Sequence, residues 1–197
     1  MGQYYVAANL AQYYVAANLT KREFLDPYRL GSGGKLVEMF YSDWFSKALL
    51  AALALGDWTL PDHPFVGRWA GDQVILVGDC MNFDYVSRLI SDGKLNLPSY
   101  VVEELKKLAE DESVVDSSFY SFVKNNFKDV SVEAIKFIYR VDPEEGLQLA
   151  MELIDVSPKD ALQLLEDKEL KKALQQKMGK DFRKALYRIK RLAAEYA

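Results

Sequence analysis

Near Asn82 the chain passes from short strand-like runs around one helix to helical spacing throughout, and that change sets what it can fold into. Before it, short β-branched and aromatic runs are broken by Gly, Pro and Asp, the pattern of short strands and turns. After it, apolar residues recur at helical spacing, with candidate helices at Tyr85 to Ile90, Pro98 to Glu110 and Ser117 to Phe127. Ser131 is placed to cap a further helix running to about Arg140. Strands first and helices afterwards predict an α+β fold: a small, mostly antiparallel sheet covered by helices, followed by a C-terminal bundle of short helices. We expect an α+β domain over residues 1–128 and a helical extension over 129–197 packed on it.

The strands themselves begin with an oddity. The octapeptide Gln3 to Leu10 recurs without change as Gln12 to Leu19, the copies separated by Ala11. Each has the β-branched and aromatic content of a strand. The two strands can pair with each other, or one can act as an arm that adds to a neighbour's sheet edge. Alternatively one copy is the fold strand and the other a recent duplication. Further on, Val66 to Trp69, the turn-like Ala70-Gly71-Asp72 and Gln73 to Val77 read as a β-hairpin whose second, wholly apolar strand is central. Between these segments, Gly31-Ser32-Gly33-Gly34 reads as a linker, and residues 35–55 as one helix buried in its later half and stopped at Gly56. The glycines lack the P-loop pattern, since Gly34-Lys35 is followed by Leu36.

Two later helix starts are the best specified in the sequence. Asp142-Pro143-Glu144-Glu145 and Ser157-Pro158-Lys159-Asp160 each place a capping side chain before Pro at the first helical position, with an acid three residues after the cap. Both belong to a degenerate fifteen-residue repeat, Val141 to Leu149 against Val156 to Leu164. Short capped helices in series form a stacked layer of the kind used for binding partners.

Composition excludes several classes. Half the residues are hydrophobic and 13% aromatic, which is globular rather than disordered usage. Cys80 is the only cysteine and His63 the only histidine, so neither a disulfide within the chain nor a Cys/His metal site is available, and no metal or cofactor is expected. The N-terminus shows no signal-peptide pattern, and the most apolar stretch, Ala48 to Leu55, is far shorter than the roughly 20 residues a membrane span needs. These features point to the cytoplasm and to no membrane partner. The net charge of −4 hides a polarity: residues 168–197 carry +7 and the remainder −11.

Candidate site residues fall in two places. In the loop region 57–80, His63 follows an aspartate that can raise its pKa, and Asp72 and Asp79 bracket the apolar strand. At about 3.3 Å per residue those two aspartates lie roughly 20 Å apart, too far for one site, and both read first as turn residues. A Cys80–His63 nucleophile pair is a further arrangement to weigh. At the C-terminus, Lys180, Arg183, Lys184, Arg188 and Arg191 surround an apolar stripe at Phe182, Leu186 and Ile189. Such a helix either docks on phosphates, presents a solvated face, or pairs with the acidic body of its own or another subunit.

Several blocks are also familiar together. Met1-Gly2-Gln3-Tyr4-Tyr5, the segment Asn18-Leu19-x-Lys21-Arg22-Glu23-Phe24-Leu25-Asp26-Pro27, and Gly34-Lys35-Leu36 resemble a widespread family of uncharacterised prokaryotic proteins. So do Asp62-His63-Pro64-x-Val66-Gly67-x-Trp69-Ala70-Gly71-Asp72, then Val77-Gly78-Asp79, and more weakly Asp129-Val130-Ser131. The resemblance covers roughly residues 1–135; the duplicated octapeptide and the helices after 140 depart from it. It implies a prokaryotic, cytoplasmic setting and brings no activity, cofactor or catalytic residue. Trp69, Asp72 and Asp79 stand in its blocks and are marked as candidate site residues on that ground.

The sequence therefore favours a non-enzymatic interaction or regulatory protein that contacts a protein partner, or itself, through its helical C-terminal region. The alternatives are nucleic-acid binding through the basic helix 168–192, and an enzyme with a pocket near the loop 57–80.

Overall fold

A computed structural model describes residues 13–41, 43–55, 62–79, 83–110 and 118–195. Its strands are β1 (Tyr14–Asn18), β2 (Glu23–Leu25), β3 (Val74–Gly78) and β4 (Lys128–Asp129). A 3-10 turn covers Pro27–Leu30, followed by helices α1 (Leu36–Tyr41) and α2 (Asp43–Leu53). Beyond β3 come α3 (Phe83–Ser91), α4 (Ser99–Glu110) and α5 (Phe119–Asn126). After β4 the chain is helical: α6 (Ser131–Val141), α7 (Pro143–Val156), α8 (Pro158–Leu164), α9 (Lys168–Met178) and α10 (Lys180–Glu195).

The α+β expectation holds. Four strands form one mixed, mostly antiparallel sheet in the order β3-β1-β2-β4, with β4 parallel to β2. The second octapeptide copy supplies β1; the first lies outside the described residues. Val15, Ala16, Ala17 and Asn18 are fully buried. Alternation along the strand sends Ala16 to one core and Val15 and Ala17 to the other. The first core joins α2 to the C-terminal helices α6, α7, α8, α9 and α10, and the second gathers α3, α4 and α5. The sheet is thus covered by helices on both faces.

Several local expectations need correction. Val66 to Trp69 is no strand: the segment is a chain of turns. Its Gly67 and Trp69 N–H groups donate to the Ala51 and Ala52 carbonyls at 2.9 and 2.7 Å, satisfying the C-terminal end of α2. The apolar strand β3 is an edge strand rather than a central one, with Leu76 39% exposed, and the centre is taken by β1 and β2. The helix expected over 35–55 is two helices, and the Met39 carbonyl at their junction accepts from the Ser46 hydroxyl at 2.8 Å. Gly56, its expected stop, lies outside the described residues.

The glycine-rich segment is a packed turn and not a linker. Gly34 has φ +78°, its carbonyl accepts from the Tyr14 N–H at 2.8 Å, and a Cβ there would meet the Tyr28 ring at 2.8 Å. Glu38 also turns back so that the Lys35 N–H donates to its carboxylate at 3.1 Å, which places an anion already at the start of α1.

The repeat reads through into structure. Asp142 accepts from the Glu145 N–H at 3.2 Å and caps α7, with Pro143 at the first position. Ser157 opens α8 without a side-chain bond to the backbone; its hydroxyl contacts the Asp160 carboxylate instead. Equivalent repeat positions share burial: Gly146 and Ala161 are buried, Leu147 and Leu162 half-buried, Leu149 and Leu164 buried. Ser131 is not a cap. Val130 occupies that position, and the Ser131 hydroxyl accepts from the Asp26 N–H at 2.8 Å, 105 residues away.

Charged groups tie these parts together. Arg29 pairs with Asp129 at 3.2 Å and Asp160 at 2.7 Å, while Lys124 pairs with Asp26 at 2.9 Å, joining the β2–β4 side of the sheet to α5 and α8. Burial pushes the Asp129 carboxyl above its usual range, with Arg29 opposing the shift. No helix of the described residues is long and apolar enough to cross a membrane.

Candidate functional site

Trp69 and Asp72 share one turn, the Asp72 N–H donating to the Trp69 carbonyl at 3.1 Å, while Asp79 stands at the other end of β3. Trp69 is fully buried, and its indole N–H donates to Glu23 Oε2 at 2.9 Å. Asp72 accepts from Asn18 Nδ2 at 2.8 Å and pairs with Lys21 Nζ at 3.1 Å. The Asn18 hydrogen bond, helped by Lys21, holds its carboxyl below the usual range despite some desolvation. Asp79 closes the opposite end of β3: its N–H donates to the Tyr13 carbonyl at 2.9 Å, and its carboxylate accepts from the Tyr13 N–H at 3.1 Å.

His63 sits half-buried, with its ring centroid 5.7 Å from that of Phe137, and Nδ1 accepts from the Phe65 N–H at 3.2 Å. The expected upward pKa shift is reversed. Burial and the positive field of Arg140 push the imidazole below its ordinary value, against an opposing pull from Asp167. Cys80, the nucleophile weighed with it, lies outside the described residues. Among the described residues no group of three or more His, Cys, Asp or Glu is placed to hold a metal ion.

The basic helix expected over 168–192 is two helices, α9 and α10, parted at Gly179 with φ +56°, and the apolar stripe lies on α10. Phe182 and Ile189 are buried and Leu186 half-buried, while Lys180, Arg183, Lys184, Arg188, Lys190 and Arg191 are exposed. Lys184 pairs with Asp181 at 3.1 Å, and Arg188 reaches Asp155 of α7 at 3.7 Å. Tyr187 is 72% exposed, and spacings of three and four place it on one face with Lys180, Arg183, Lys184, Lys190 and Arg191.

A concavity lies elsewhere, along the outer face of α7. A groove of about 690 Å³ runs between the end of α6, α7 and α9. Tyr139, Leu147, Met151 and Ala173 give it an apolar floor; Glu144, Glu152 and Asp155 stand along α7, and Lys177 faces them from α9. Residues 144, 147, 148, 151, 152 and 155 follow each other at helical spacing, so one face of α7 supplies most of the wall. The opposite face buries Leu149, Ala150, Leu153 and Ile154.

Two contacts fix the groove's position. Gly146 lies against the backbone of Tyr139: a Cβ there would stand 2.3 Å from the Tyr139 Cα, so only glycine lets α6 and α7 meet this closely. On the other side, the Trp44 indole N–H donates to Glu145 Oε2 at 3.1 Å and ties α7 to α2. The sequence held one sign of the groove. Leu147 and Met151 are apolar residues four apart with acids at 144, 152 and 155 around them, a second apolar stripe on a helix whose core stripe is already complete.

Comparison with protein-family models, with characterised proteins and with solved structures returns no match.

Proposed function

We propose that this chain is a non-enzymatic interaction protein that receives an amphipathic segment of a protein partner in the groove between α7 and α9. The observation that carries this reading is the groove's lining: an apolar floor of Tyr139, Leu147, Met151 and Ala173 beside the acidic residues Glu144, Glu152 and Asp155. Helix-in-groove recognition needs apolar anchors at i, i+3 or i+4, and the acidic edge selects Lys or Arg on the flanks of those anchors. Met151 adds a deformable surface that fits irregular side chains.

The test is a panel of labelled helical peptides bearing a Leu stripe flanked by Lys, titrated by fluorescence anisotropy. The reading expects binding that weakens at least tenfold in Met151→Glu and also weakens with added salt. Equal affinity for the parent and Met151→Glu would refute it.

A second reading is favoured by a different observation, the exposed Tyr187 among Lys180, Arg183, Lys184, Lys190 and Arg191. An aromatic on which a base can stack, framed by cations, is the chemistry of single-stranded nucleic-acid binding. Here affinity for an oligonucleotide falls steeply with salt and drops in Tyr187→Ala. Absence of binding even at low salt removes this reading.

A further inference from the structure

We infer that the partner of the groove is a second copy of this chain, each copy seating the basic outer face of its α10 in the other's groove about a twofold axis. The inference rests on the groove reading above and names its occupant. Charge is what selects it. Residues 168–197 carry +7 and the remainder −11, so one chain holds both halves of a complementary pair.

The fold gathers part of each sign on one helix face. Glu144, Gln148, Glu152 and Asp155 stand exposed on α7 at spacings of four, four and three. Lys177 lines the same groove, so three carboxylates stand against one ammonium and the wall stays acidic. On α10 the exposed face carries Lys180, Arg183, Lys184, Lys190 and Arg191 around Tyr187. Among the described residues, Glu144 and Glu152 on one side and Lys180, Arg183 and Lys190 on the other make no ion pair.

The two faces also match in length and in the place of their apolar element. Residues 144–155 and 180–191 cover the same number of helical steps, about 17 Å at 1.5 Å per residue. With those spans laid together in either direction, Tyr187 falls opposite the stretch from Leu147 to Met151. Its ring, 72% exposed, meets the half-buried Leu147 and the Met151 thioether there. The stems of the flanking cations lie along the walls and carry their charged ends to the acids.

One contact within the chain sets the symmetry. Arg188 of α10 reaches Asp155, an acid of the groove wall, at 3.7 Å, so groove and basic face adjoin on one side of the molecule. Adjoining complementary patches close as a twofold dimer with two equivalent contacts, whereas patches on opposite sides would build an open chain. A chain cannot fill its own groove this way, because α10 is held by Phe182 and Ile189 in the core and its basic face turns outward.

Analytical ultracentrifugation of the full chain tests the inference. The parent is expected to sediment as a dimer at low salt and to dissociate as salt rises. Arg183→Glu/Lys190→Glu and Glu144→Lys/Glu152→Lys each set like charges together, and each is expected to weaken the dimer at least tenfold. Mixed, the two variants restore opposite charges at both contacts and are expected to form a dimer with one copy of each. Tyr187→Ala keeps the parent's charges and is expected to weaken its dimer too, which separates a seated anchor from general attraction between unlike charges. Every substituted residue is exposed, and circular dichroism checks that each variant folds.

A parent that stays monomeric at low salt overturns the inference. If that monomer still binds the Leu–Lys peptide and loses it in Met151→Glu, the groove reading stands and only the occupant is wrong. A monomer that binds an oligonucleotide through Tyr187 gives the α10 face to nucleic acid and overturns the inference likewise. So does a dimer indifferent to both charge reversals, or a mixture of the two variants that stays monomeric.

Discussion

The Trp69 indole N–H donates to Glu23 Oε2 at 2.9 Å inside the core, and the same carboxylate receives the Arg68 guanidinium, with Nε at 2.7 Å. One acid on β2 thereby anchors the turn segment that closes the end of α2. Removing it leaves an indole donor and a partly buried guanidinium unpaired. Glu23→Ala is expected to cost on the order of 3 kcal/mol, measured by urea denaturation. A loss below about 1 kcal/mol would show the anchor to be incidental.

Acid should destabilise the fold in two stages. Burial pushes the His63 imidazole down, so the fold favours its neutral form. Its contribution is complete above the unfolded pKa of about 6.5 and is lost as pH falls through the lower folded value. Burial alone would raise Glu23, but the hydrogen bonds from Arg68 and Trp69 outweigh it and leave its pKa below the usual value; Asp72 is lowered as well. Their contributions are complete above the unfolded carboxylate range and are lost as pH falls through the folded values. Asp129, raised by burial, acts in the opposite sense. Thermal midpoints recorded from pH 8 to pH 3 should decline first near pH 6, and His63→Asn should remove that first decline alone.

Gly146→Ala is expected to be among the most damaging single-methyl additions. The new Cβ meets backbone atoms of Tyr139 at 2.3 and 2.4 Å, which no side-chain rotation relieves. A cost of about 1–3 kcal/mol follows from overpacking, with the α6–α7 approach widened. Differential scanning calorimetry measures it, and an unchanged midpoint would mean that the two helices slide freely.

The two repeat starts should respond differently. Asp142 caps through its side chain, so Asp142→Ala costs about 1 kcal/mol. Ser157 makes no side-chain bond to the backbone of its helix, so Ser157→Ala should cost only a few tenths of a kcal/mol. Parallel denaturant titrations of the two variants check the contrast.

These residues also show what was legible beforehand. The Asp142-Pro143 start is a local matter of cap and ring geometry, and its physics is complete within four residues. A strand in the octapeptide and the stripe Phe182, Leu186, Ile189 were readable from side-chain period alone, but two identical copies could not say which one forms β1. Where pairing is non-local the reading failed. Val66 to Trp69 alternates like a strand, yet its N–H groups serve the distant carbonyls of α2. Ser131 has a capping side chain, but that hydroxyl is taken by Asp26. The apolar run of β3 suggested a central strand, whereas the sheet's centre was hidden in the small residues Ala16 and Ala17. The groove was missed because its walls come from three helices, and only the α7 wall is contiguous in sequence.

Hydrogen exchange with mass spectrometry, with and without a cationic amphipathic helical peptide, tests the interaction reading most directly. The account predicts slowed exchange confined to residues 139–155 and 173–177, around the groove, and none along the outer face of α10. Protection spread over α10, or none in the groove at saturating peptide, would contradict it.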